Sequence, residues 1–98
     1  MEDRTERMAV GQTIWSQIPV MTKMACGMRD AFVGEHGELT VKVGRAMTWI
    51  KISLNGLDLY DVEHIRVKRG TYENVILESA SNVDCESLSE VVYHMVNK

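Results

Sequence analysis

Ninety-eight residues, 45% hydrophobic and 26% charged, describe one globular domain with a single modest core. A net charge of −3 lacks the basic footprint of a nucleic-acid-binding protein and is too mild for a polyanionic DNA mimic. No apolar run approaches the roughly 20 residues needed to cross a bilayer, and MEDRTER at the start lacks the hydrophobic centre of a secretion signal, so a cytoplasmic protein is expected.

Residues 1–7 carry five charges and are predicted to be a disordered start, which leaves residues 8–98 as a single domain. Ile14, Trp15 and Ile18 share one helical face. Pro19 cannot continue that helix but suits the first turn of another, in which Val20, Met21, Met24, Ala25 and Met28 repeat at three and four. Gly27 is the predicted C-terminal stop. Two short helices follow, or one kinked at Pro19.

After Phe32 the period changes from 3.6 to 2. The turn GEHG (34–37) introduces ELTVKV, where Leu39, Val41 and Val43 point one way and Glu38, Thr40 and Lys42 the other. A second strand sets Ile50, Ile52 and Leu54 against Trp49, Lys51 and Ser53. Asn55-Gly56 between alternating runs predicts a type I′ hairpin with positive φ at both central residues. Past it, Tyr60 and Val62 share a parity that Ile65 and Val67 do not, which predicts a β-bulge near Glu63-His64. The turn at residues 68–70 leads to a last strand over residues 72–79. SASNVD (79–84) then offers Ser81 or Asn82 as the cap of a helix burying Cys85, Leu88, Val91, Val92 and Met95. The expected fold is α+β: N-terminal short helices, a four-stranded antiparallel meander, and a C-terminal helix packed on one face.

The search for chemistry is largely negative. Asp58, Asp61 and Glu63 do not converge on a strand as calcium ligands must, so no metal is expected there. Asp61 and Glu63 read instead as a solvated face opposite Lys51 or Arg66. His36, His64 and His94 match no zinc spacing, and none neighbours a Cys or Ser in a nucleophile setting. His64, beside the predicted bulge, is the best-placed of the three. Cys26 and Cys85 form no C-x-x-C pair and read as reduced thiols. No catalytic residue, cofactor or metal site is assigned, and the chain is not expected to be an enzyme.

Two surfaces remain. Trp49, with Tyr60 and Val62 across the hairpin, forms a candidate partner surface on the otherwise wet face of the sheet, suited to a protein partner or a homodimer. Arg66, Lys68 and Arg69 with Tyr72 form a candidate basic strip, and single-stranded nucleic acid is its alternative ligand.

MTKMACGMRDAFV, ELTVKVG, WIKISLNGLDLYDVEHIRV and the closing VDCESLSEVVYHM together resemble a group of small uncharacterised phage and prophage proteins. In those, a segment like FIAMTGAKNF precedes a strand, a KITLNGLDTYD-like hairpin follows, and a short C-terminal helix closes the chain. The resemblance covers residues 20–95, with KISLNGLDLYD (51–61) its most specific part, and it carries no catalytic residues. It implies an intracellular phage-derived accessory protein and little more; small accessory proteins of that origin often work by stoichiometric binding, some against host defence components such as CRISPR effectors and others in phage replication, and that mode of action is the expectation here.

Overall fold

The computed structural model describes residues 4–35, 37–44, 48–68, 70–71 and 73–97; for residues 4–8 only the backbone is described. In chain order the elements are α1 (Arg4–Ser16), α2 (Val20–Ala25), β1 (Arg29–Val33), β2 (Leu39–Val43), β3 (Thr48–Leu54), β4 (Tyr60–Val67), β5 (Asn74–Val83) and α3 (Leu88–Val96). The strands form one antiparallel sheet in the order β1-β2-β3-β4-β5. The architecture is thus α+β, but with five strands rather than four.

The additional strand is β1. Its residues show no alternation of burial, because it is an edge strand whose register shifts between Arg29 and Phe32, with Asp30 in the left-handed region at φ 54°. A period of two is invisible in a strand bent in this way.

The break at Pro19 separates α1 from α2. Pro19 is the N-cap of α2, and Gly27, at φ 61°, ends it. The Gly27 amide donates to the Met24 carbonyl at 3.2 Å and the Met28 amide to the Lys23 carbonyl at 2.9 Å, the paired bonds of a Schellman cap. At the other end of the chain, α1 reaches back to Arg4, so the start expected to be disordered contributes helix from residue 4 onward.

One face of the sheet holds the core. Val41, Val43, Ile50, Ile52 and Val62 are sealed beneath Ile14 and Ile18 from the α1 end and Leu88, Val92 and Met95 from α3. Gly11 lies buried where α1 meets β1, and a Cβ there would collide with the Val33 side chain. Lateral polar contacts tie the helices together: Thr22 and Ser89 hydroxyls meet at 2.7 Å, and Lys23 Nζ sits 4.0 Å above the Trp15 ring.

The hairpin differs from a two-residue type I′ turn. Five residues, 55–59, connect β3 to β4, and positive φ falls on Asp58 (59°) instead of Asn55 or Gly56. The reason is the Asn55 side chain, whose Oδ1 accepts from the Leu57 and Leu59 amides at 2.8 and 3.2 Å and so templates a wider loop. Its Nδ2 donates to Asp61 Oδ1 (3.2 Å) and Asn82 Oδ1 (2.8 Å), while the Asn82 amide donates to Asp61 Oδ1 at 3.2 Å. Asn82, itself at φ 58°, marks the place where β5 slips against β4. It is therefore a knot between hairpin and last strand rather than a helix cap. The strand runs on to Val83, Asp84 accepts from the Ser87 amide at 2.7 Å, and α3 begins only at Leu88. Cys85 is left exposed before the helix and Val91 half-buried on it.

Candidate functional site on the open face of the sheet

The pairing register determines what the second face of the sheet carries. One row across the strands reads Phe32, Thr40, Lys51, Glu63 and Ser79; the next reads Lys42, Trp49, Ile65 and Ile76; Val67 and Asn74 follow. These alternate with the buried residues, so they stand opposite the helices. Glu38, Thr40, Trp49, Lys51, Ile65 and Val67 line a shallow depression of about 390 Å³, to which no described helix contributes. Trp49 is half-buried at its centre. The Phe32 ring meets it edge-on with centroids 6.0 Å apart, and Lys42 Nζ lies 5.9 Å from the Trp49 centroid.

Trp49 stands where the sequence put it; its expected companions do not. Tyr60 and Val62 pair with Leu54 and Ile52, face the helices, and are 6% and 0% exposed. Tyr60 is held there by its hydroxyl, which donates to Gln17 Oε1 at 2.6 Å. The change of parity along β4 explains the error. The β3–β4 ladder is regular throughout, with no bulge in β4, so Tyr60 and Val62 face the core while Ile65 and Val67 face outward. The slip lies on the partner strand, where Leu77 is the extra residue between Ile76 and Glu78. Phe32, Ile65, Val67 and Ile76 were missed as members of this surface, although the odd parity of Ile65 and Val67 was the signal for two of them.

Of the basic strip, Arg66 is not on this face. Arg66 shares a row with Thr48 and Val75 on the helix side of the sheet, away from Trp49. Lys68 is exposed just past β4, and Arg69 and Tyr72 lie outside the described residues.

The acids do not gather either. Glu63 stands directly opposite Lys51, Asp61 is engaged by Asn55 and Asn82, and Asp58 is exposed in the loop. Among the described residues no three His, Cys, Asp or Glu side chains are placed to hold a metal ion. His64 lies in β4 opposite Glu78, His94 is exposed 3.7 Å from Glu90 on α3, and His36 lies outside the described residues. Cys26 is buried, which pushes its thiol pKa up against the lowering effect of Asn97 Nδ2 at 3.7 Å from Sγ. A thiol held neutral is a poor nucleophile. Among the described residues no helix is long and apolar enough to cross a membrane.

No family model matches the chain, and no curated protein or solved structure is significantly similar to it.

Proposed function

We propose that this protein works by occupancy, docking one protein partner on the open face of its sheet without turnover. The observation that carries this reading is the row of Trp49, Ile65 and Ile76 with Phe32 beside it, an aromatic and aliphatic band left part-exposed on an otherwise polar face. Its rim is of mixed sign, with Lys42 and Lys51 against Glu38 and Glu63. An apolar centre inside a mixed polar rim suits a protein surface. Polyphosphate would meet the carboxylates as well as the lysines, and the nucleic-acid alternative loses Arg66 to the other side of the sheet. The finer reading rests on the resemblance of residues 20–95 to phage and prophage proteins: a phage-derived intracellular accessory whose partner is a host defence component such as a CRISPR effector.

The test is affinity capture from cells carrying such defences, with native mass spectrometry of what is retained. Wild type should hold its partner near one protomer per site, Trp49→Glu should lose it, and Leu57→Glu, at the exposed hairpin tip, should keep it. Retention by Trp49→Glu removes the open face from the account. Time-dependent inactivation of the target by sub-stoichiometric protein, stopped by His64→Ala with the fold intact, would show an enzyme instead.

A further inference from the structure

Asn55 is the one asparagine of the chain that precedes a residue without a side chain; Asn74 and Asn82 precede valines and Asn97 a lysine. In an Asn-Gly pair the glycine nitrogen can reach the asparagine Cγ unhindered. Attack closes a cyclic imide: the bond from the Gly56 nitrogen to Asn55 Cγ forms and the Cγ–Nδ2 bond breaks. Nδ2 leaves as ammonia, with the proton given up by the Gly56 amide. Water then opens the ring at either carbonyl and gives aspartate or isoaspartate.

The hairpin both primes and restrains this reaction. Gly56 is exposed, with nothing within 4 Å of where a Cβ would stand, so no other element screens the pair. The Leu57 and Leu59 amides that donate to Asn55 Oδ1 are placed to take up the negative charge that collects there during attack. The contacts of Nδ2 work the other way. It donates to Asp61 at 3.2 Å and to Asn82 at 2.8 Å, which ties both N–H bonds in the plane of the amide. Nitrogen can leave only by pyramidalising out of that plane, so both contacts must first break. The second of them comes from 27 positions away, on a stretch of β5 where the ladder to β4 is interrupted between Tyr60 and Val62. Such an interruption is where a strand pair opens at least cost.

We propose that Asn55 is a deamidation site latched by Asn82: the amide is kept while this end of β5 is seated on the hairpin and lost when it opens. The change runs one way. Aspartate at this position has no donor, and its carboxylate would stand where Nδ2 now meets Asp61, so a like-charge pair replaces a hydrogen bond. Isoaspartate also lengthens the main chain by a methylene and draws the side chain away from the Leu57 and Leu59 amides. Either product prevents the hairpin from closing again on Asn82.

The test follows residue 55 by peptide mapping while the full chain is incubated at mildly alkaline pH. Folded wild type should deamidate more slowly than the same chain in urea, with isoaspartate among the products. Asn82→Gly keeps the left-handed backbone and the amide that donates to Asp61, and removes only the acceptor of Nδ2. Below its melting transition it should deamidate roughly 2- to 10-fold faster than wild type, the factor by which one lost hydrogen bond shifts the opening equilibrium. Gly11→Ala strains the fold at the α1–β1 contact instead, and below its own transition should leave the rate at residue 55 unchanged. Gly56→Ala should suppress the reaction in urea. A folded wild type as fast as the denatured chain overturns the proposal, as does Asn82→Gly at the wild-type rate or matched by Gly11→Ala. Aspartate without isoaspartate would show direct hydrolysis by water and overturn it equally.

Discussion

On β3, Ile50 and Ile52 are fully sealed beneath the helices, while Trp49 and Lys51, one residue away, stand on the face that no described helix covers. The two faces are built from the same strands with the same backbone geometry and differ only in parity. On one, β-branched residues are buried beneath α1 and α3; on the other, a few large apolar groups sit among charges with no described helix above them. Burial, rather than residue type, therefore separates structural roles from surface ones, and substitutions should report that difference.

The widest contrast is expected between Ile52→Ala and Trp49→Ala. Removing the Ile52 side chain leaves a cavity in a closed core and should cost about 2–5 kcal/mol in urea unfolding. Removing Trp49 loses mainly its edge contact with Phe32 and should cost about 1 kcal/mol. Equal losses would mean that the second face is covered after all. Gly11→Ala comes next, at about 1–3 kcal/mol, because the added methyl meets Val33 in a tight helix–strand contact. Val33→Ala in the same chain should recover part of that loss, and strict additivity of the two substitutions would exclude the contact as its cause.

These contrasts also explain how far the fold could be read from the chain. The alternation in residues 39–43 and 49–54 was enough to place β2, β3 and the core face, and Pro19 with Gly27 was enough to bound α2. β1 was illegible because its slip and the left-handed Asp30 erase the period on which strand recognition depends. Tyr60 and Val62 were assigned to the wrong face because β4 carries apolar residues on both, Tyr60 and Val62 inward and Ile65 and Val67 outward. A single chain offers no way to decide which parity a neighbour covers. The ends of β5 and α3 went astray at Asn82, whose side chain answers to Asn55, a residue 27 positions earlier. Local propensity is silent about partners so distant in sequence.

The hairpin gives a smaller contrast between adjacent residues. Asn55→Ala removes the acceptor of two loop amides and both donor contacts to Asp61 and Asn82, and should cost about 1–2 kcal/mol. Gly56 lies in open space without positive φ, so Gly56→Ala should change stability by no more than about 0.5 kcal/mol. A two-residue type I′ turn would reverse that order, which thermal melts of the two variants decide.

The smallest effect is absent at neutral pH and belongs to the core face alone. Burial raises the Cys26 thiol above its ordinary value of 9.0 and the Tyr60 phenol above 10.0, opposed in part by hydrogen bonds from Asn97 and with Gln17. Both groups hold their protons in the folded chain at pH values where the unfolded chain releases them. The folded state then binds more protons at these two groups than the unfolded one, so the stability they contribute is fully present below about pH 9 and is lost as pH rises through the window between unfolded and folded values. Cys26→Ala should flatten the first part of that fall and Tyr60→Phe the second. An alkaline slope identical in Cys26→Ala, Tyr60→Phe and wild type would mean that neither group is shielded from solvent, and the sealed face of the sheet would have to be more open than its packing implies.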